Sequence, residues 1–262
     1  MMFPDDIWFV CAKGHLQSPI NIRLKDLIFD HTLKPLTLTF NVSNMGQDVS
    51  ILLESDGPPI HFSEGPLSYQ YRLHGGVIKF GSTSQIGSEH RIEGKAFPGE
   101  IQFYAYNSDL YQNFSVAVNK PYGLAAISLF LRIGQSSTPD ISALLSSVAE
   151  VRRLYGLILN TLFPSTREFI TYQGSLGFPA CYETVTWILL NEPVTVTEEQ
   201  MKGLRTLRMS EFKNAGAMAD NFRPIQKSNN RYVRTNINFN ASVSKLQGFY
   251  RNLNRDLKEW KL

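Results

Sequence analysis

Ten residues near the middle of the chain, Leu124-Ala-Ala-Ile-Ser-Leu-Phe-Leu-Arg-Ile133, form a nearly continuous apolar run. Such a run suits a strand buried on both faces, where side chains pointing either way meet apolar neighbours. It is too short to cross a bilayer, which takes roughly 20 apolar residues, and no other stretch approaches that length. A strand of this kind needs a sheet around it. Leu36-Thr-Leu-Thr-Phe-Asn-Val42 alternates apolar and polar residues, Val49–Leu53 and Val77–Phe80 are short β-rich runs bounded by Gly, Asn and Asp, and Ile101–Tyr106 adds another. Thr184–Leu190 and Tyr232–Phe239 have strand character later in the chain.

Between these runs the period changes. Ile141, Leu144, Leu145, Val148, Val151, Leu154, Tyr155 and Ile158 recur at three- and four-residue steps and predict a helix over 138–159. Thr197-Glu-Glu-Gln200 is a capping box, so a second helix starts there. The last residues carry one apolar stripe, Leu246, Phe249, Leu253, Leu257 and Trp260, with Lys and Arg between: an amphipathic helix, weakened by Gly248. With no repeat or low-complexity linker, the 262 residues read as one domain over 1–240 and a helical tail over 241–262. The stripe has two readings: a partner-binding face, or a face packed on its own domain.

The charge balance, 26 basic against 23 acidic residues, is too even to argue for nucleic acid or a membrane surface. The start, MMFPDDIWFVCAKG, has no basic leader and its apolar run Ile7–Ala12 is too short for a signal peptide, so taken literally the chain is cytoplasmic. Cys11 and Cys181 read on their own as two free, buried thiols. Three sequons, at Asn41, Asn113 and Asn240, permit glycosylation without requiring it.

Four stretches in order resemble the α-carbonic anhydrase family: Gln17-Ser-Pro-Ile-Asn-Ile22, Gly87-Ser-Glu-His90, Tyr172-Gln-Gly-Ser-Leu176 with Pro179 and Trp187, and Asn221-Phe-Arg-Pro224 with Gln226. Phe169-Ile-Thr-Tyr172, Cys181-Tyr-Glu-Thr184 and Arg234-Thr-Asn-Ile-Asn-Phe239 are most similar to the acatalytic related proteins of the ten/eleven type. The resemblance implies a mainly β (α+β) fold, with a large twisted, mostly antiparallel central sheet and peripheral helices.

It also implies where a zinc site would stand. Catalytic zinc takes three protein ligands and one open position for water. Aligned on Phe80-Gly81, Glu100 and Tyr106-Asn107, the family's three histidine positions are Val77, Lys79 and Gln102. Val has no donor atom, Lys would have to lose its proton, and Gln offers an amide oxygen where zinc favours nitrogen or sulfur. The shuttle histidine aligns with Gln47 and the gatekeeper threonine with Gly177, while its partner acid, Glu89, remains. The apolar substrate pocket aligns with Tyr104, Ala126, Val185 and Trp187; Tyr104 and Phe178 are bulky enough to fill it. His74 is an odd number of positions from Val77 and is expected on the other face of its strand; His90 takes the family's structural role; His15, His31 and His61 read as surface or loop residues.

The expectation is therefore a protein without carbonic anhydrase activity and without a cofactor, zinc included. No Ser, Cys or Thr stands with a His at a recognisable motif spacing. The alternative is a residual zinc-dependent carbonate dehydratase with an atypical site. Lys79 has two readings: an internal ion pair with Glu100 or Glu89 that replaces the metal's charge, or a side chain snorkelling to water. In secreted relatives, cysteines at the positions of Cys11 and Cys181 pair, which implies a disulfide, the secretory route, and an N-terminus that continues beyond Met1. By resemblance the protein is a secreted glycoprotein of nervous tissue that binds a cell-surface receptor of the neurexin type, with no nucleic acid and no transmembrane segment involved.

Overall fold

The computed structural model describes residues 4–39, 45–46, 50–53, 59–149, 162–164, 166, 168–208 and 216–239. Gln47, Asn41, Asn240 and the stripe Leu246, Phe249, Leu253, Leu257 and Trp260 lie outside the described residues, as does the predicted helix beyond residue 149.

Fourteen strands are described. In the first half of the chain they are β1 (Asn21–Ile22), β2 (Leu27–Phe29), β3 (Leu36–Thr39), β4 (Met45–Gly46), β5 (Ser50–Leu53), β6 (His61–Glu64), β7 (Tyr71–Phe80), β8 (Arg91–Ile92) and β9 (Gly99–Asn107). The remainder are β10 (Leu124–Ile133), β11 (Phe169–Gly174), β12 (Val185–Leu190), β13 (Val194–Val196) and β14 (Val233–Thr235). The described helices are α1 (Pro4–Lys13), α2 (Phe114–Ala117), α3 (Pro139–Ala149) and α4 (Glu198–Arg205).

Twelve strands form one mixed sheet in the order β2-β14-β11-β12-β10-β9-β7-β5-β4, with β13 also beside β10 and β6 joining β3 to β7. Its pairs are antiparallel except β10 with β12, β10 with β13, and β14 with β2. β1 and β8 form a separate parallel pair. The apolar run 124–133 is strand β10, near the centre of this sheet, and Leu124–Leu131 are buried throughout. Ala125, Ile127, Leu129 and Leu131 face one core together with Ile101, Phe103 and the inner faces of α3 and α4; Leu124, Ala126 and Phe130 face a second core with Tyr104, Tyr106 and Trp187. The period-two alternation of strand side chains therefore feeds two cores from one continuous run.

The helices follow the sequence signals where described. Ile141, Leu144, Leu145 and Val148 are buried along one side of α3. At α4 the capping box closes: Thr197 Oγ1 accepts from Gln200 N–H at 3.2 Å, and Gln200 Oε1 accepts from Thr197 N–H at 2.8 Å. Helix α1 was not signalled by periodicity; six apolar residues after two acids are too few to show a stripe.

One expectation fails. β7 carries a bulge between Leu73 and Gly75, so His74 is an extra residue and the side-chain parity changes there. Tyr71 and Leu73 then share a core with Ile78 and Phe80, although their parity differs. His74 stacks on Phe114, centroids 4.2 Å apart, and Phe114 packs against the second core. His74 thus lies on the same side as Val77, not the opposite one.

Candidate functional site

The site is built on the second face of the sheet. In the β7–β9 ladder, Val77 is opposite Gln102 and Lys79 opposite Glu100. Opposed residues share a face, and so do alternate residues along a strand, so these four side chains project together. Ser128 of β10 stands opposite Gln102 and Ala126 opposite Tyr104. Glu89 enters from the loop before β8, Gly177 from the loop after β11, and Asn221 and Arg223 from the late motif.

Lys79 Nζ is 3.0 Å from Glu89 Oε1 and donates to the Asn221 carbonyl at 3.0 Å. The lysine side chain is 13% exposed and the glutamate 1%. The same carboxylate accepts the Arg223 main-chain N–H at 3.0 Å and the Gln102 side-chain amide at 3.0 Å. A Cβ built on Gly177 would fall 2.7 Å from Glu89 Oε2, so the carboxylate fills the space that a side chain at 177 would need. Of the two acids open to Lys79 in the sequence, Glu89 is the one beside it.

Glu100 is held by other groups. It accepts from His90 main-chain N–H (2.9 Å), His90 Nδ1 (2.8 Å), Gln102 Nε2 (3.0 Å) and Ser128 Oγ (2.8 Å). Burial by itself would push its carboxyl up, but the field and hydrogen bonds of His90, with the Gln102 amide, outweigh it and bring the pKa down to about 2. His90 continues the network: Nε2 is 2.6 Å from the Tyr172 hydroxyl, which is 2.9 Å from Ser18 Oγ, which accepts Ser175 N–H at 3.0 Å. The His90 ring thus bridges the Glu100 carboxylate and the Tyr172 hydroxyl through its two nitrogens. Burial, first, and the nearby carboxylates keep the Tyr172 and Tyr104 phenols well above their ordinary range.

Gln102 has no spare capacity. Its amide NH₂ faces two carboxylates, so the oxygen must point the other way, where it accepts from Tyr104 OH at 2.7 Å. Tyr104 is 4% exposed, and its ring meets Phe178 and Trp187 edge-on at 5.6 and 5.9 Å. These rings occupy the ground where the family resemblance places an apolar pocket.

A zinc ion does not fit this donor set. Val77 brings no ligand atom, the Lys79 ammonium is committed to Glu89 and Asn221, and both ends of the Gln102 amide are hydrogen-bonded. Among the described residues no three His, Cys, Asp or Glu side chains group as metal ligands. The other histidines stand elsewhere: His15 and His31 are exposed or partly so, and His61 lies on β6 opposite Thr39 and Arg72.

The roof of the site is tied down covalently. Cys11 of α1 and Cys181 are joined by a disulfide, which corrects the residue-level reading of two free thiols. Arg223 reaches the same place, donating to the carbonyls of Ser18 (2.8 Å) and Cys11 (3.1 Å). Arg223 therefore links the disulfide to Glu89 through its own main-chain N–H, a connection that sequence reading missed because a residue's two hydrogen-bonding ends leave no periodic signal.

The curled mixed sheet is that of the carbonic anhydrase class. Residues 5–237 match the model of the eukaryotic-type carbonic anhydrase family, and the chain belongs to that family. It is also 35% identical over 255 residues, 90% of this chain and 76% of the relative, to "Putative carbonic anhydrase-like protein 2" of Caenorhabditis elegans.

Proposed function

We propose that this chain is a non-catalytic member of the family, a secreted protein that acts by binding a receptor on the cell surface. The observation that carries the first half is the Lys79–Glu89 pair. It puts a fixed positive charge and its counter-ion on the face where the resemblance places a zinc ion, and among the described residues no three metal-ligating side chains gather to hold an ion that would activate water. The lysine supplies an electrostatic substitute for the metal, so that buried Glu89 keeps a partner while the hydroxide chemistry is lost. The disulfide supports an oxidising compartment, where such bonds persist. No described helix is long and apolar enough to cross a membrane.

The receptor half rests on the similarity of the chain to the ten/eleven-type proteins, for which neurexin-type receptors are the implied partners. The test is binding of the purified, oxidised chain to cells displaying neurexin-type ectodomains, with and without residues 243–262. Saturable binding above that of receptor-free cells supports the proposal. Its absence for the full chain, with the fold intact by circular dichroism, overturns the neurexin assignment. Loss of binding on removing 243–262 alone assigns the contact to the tail.

A further inference from the structure

We infer that Asn113 carries an N-linked glycan, seated over an exposed apolar surface between β9 and β10. Of the three sequons, this is the one within the described residues. Asn113 is exposed and extended, and its Oδ1 accepts the Val116 N–H at 3.0 Å, capping α2. That bond occupies Oδ1 and leaves Nδ2 of this exposed residue without a hydrogen-bond partner among the described residues. Nδ2 is the atom that takes the sugar. The Ser115 side chain of the sequon is likewise exposed and without a described partner.

The surroundings suit a covering saccharide. Leu110, Val116 and Tyr122 are 48%, 44% and 62% exposed in this one excursion of chain, whose two ends are joined by Tyr111 OH donating to the Pro121 carbonyl at 2.8 Å. Exposed apolar groups in one short stretch of chain are costly to leave in water, and the first sugar rings have apolar faces to lay on them. In the modification, the Asn113 amide nitrogen bonds to the anomeric carbon of an oligosaccharide donated from a polyisoprenyl pyrophosphate. The anomeric C–O bond breaks, the pyrophosphate leaves with its electron pair, and one amide proton passes to the transferring enzyme's base.

The inference rests on the secretory reading above, and its test separates the two. The full chain is expressed behind a heterologous secretion signal, recovered from the medium, and treated with peptide-N-glycosidase in heavy-oxygen water. The account predicts conversion of Asn113 to labelled Asp in most of the protein, with no conversion at 113 in Ser115→Ala. Asn113→Asp keeps an acceptor for the α2 cap, so it should secrete and fold while showing more surface-dye binding than the glycosylated chain. Unmodified Asn113 in secreted, disulfide-bonded protein overturns the inference. A natural protein confined to the cytoplasm would overturn the secretory reading, whatever the site's competence in this assay.

Discussion

Lys79 and Glu89 form a nearly buried ion pair, and such pairs reveal themselves when one partner is removed. Lys79→Met leaves a carboxylate that is 1% exposed with two neutral donors and, for counter-charge, the more distant field of the Arg223 guanidinium. Breaking a buried pair in this way costs about 3–5 kcal/mol, whereas removing both charges together is often close to neutral. Urea unfolding should therefore show a large loss for Lys79→Met and substantial recovery for Lys79→Met combined with Glu89→Gln. Additive losses would mean that the two side chains do not interact. Glu100 makes a pH prediction. Its carboxyl is held at about 2 against an ordinary 4.5, so its contribution is complete above 4.5 and is lost as pH falls from there towards 2. The stability of the wild-type chain should fall across that window, and Glu100→Gln should flatten that part of the profile. Both acids were candidates in the sequence, Glu100 because it sits two positions from Gln102 and Glu89 because the family resemblance places it nearby. Which acid meets Lys79 was not legible there, since that depends on the loop that brings Glu89 in and on His90 having taken Glu100.

At the scale of elements, the sequence patterns worked where one period ran long enough to be read. The run 124–133 is a doubly buried strand, α3 buries its i, i+3, i+4, i+7 positions, and the α4 cap closes as its four residues require. The parity argument failed at His74 because a bulge inserts one residue without any mark in composition, and every odd–even inference across it inverts. Helix α1 escaped for the opposite reason: it is short, and its anchor is a disulfide and not an apolar stripe. The Cys11–Cys181 bond spans 170 positions and holds α1 to the roof loop, so it closes a very long loop of the unfolded chain. Replacing both cysteines by serine should cost about 2–5 kcal/mol, seen as a lower urea midpoint that is matched by wild-type protein kept reduced. An unchanged midpoint would show that the hydrogen bonds of Arg223, with those that Leu16 N–H and the Gln17 amide donate to Glu183, already fix that end of the molecule.

The molecule as a whole keeps the family's scaffold, with Val77, Lys79 and Gln102 where the resemblance places the zinc ligands. The fold was legible because four separated motifs occur in the right order, each tied to a different strand or loop. The proposed loss of function was argued from residue types at 77, 79 and 102, which are poor zinc donors, and the structure adds that Lys79 and Gln102 are each bonded to Glu89. A binding surface leaves no such signature, because an exposed patch has no required residue types or spacing. The most direct measurement is elemental zinc in the purified, oxidised chain after incubation with excess zinc and extensive dialysis, together with stopped-flow CO₂ hydration on the same sample. The account predicts zinc far below one ion per chain and a rate equal to that of buffer; stoichiometric zinc with hydration above buffer would contradict it.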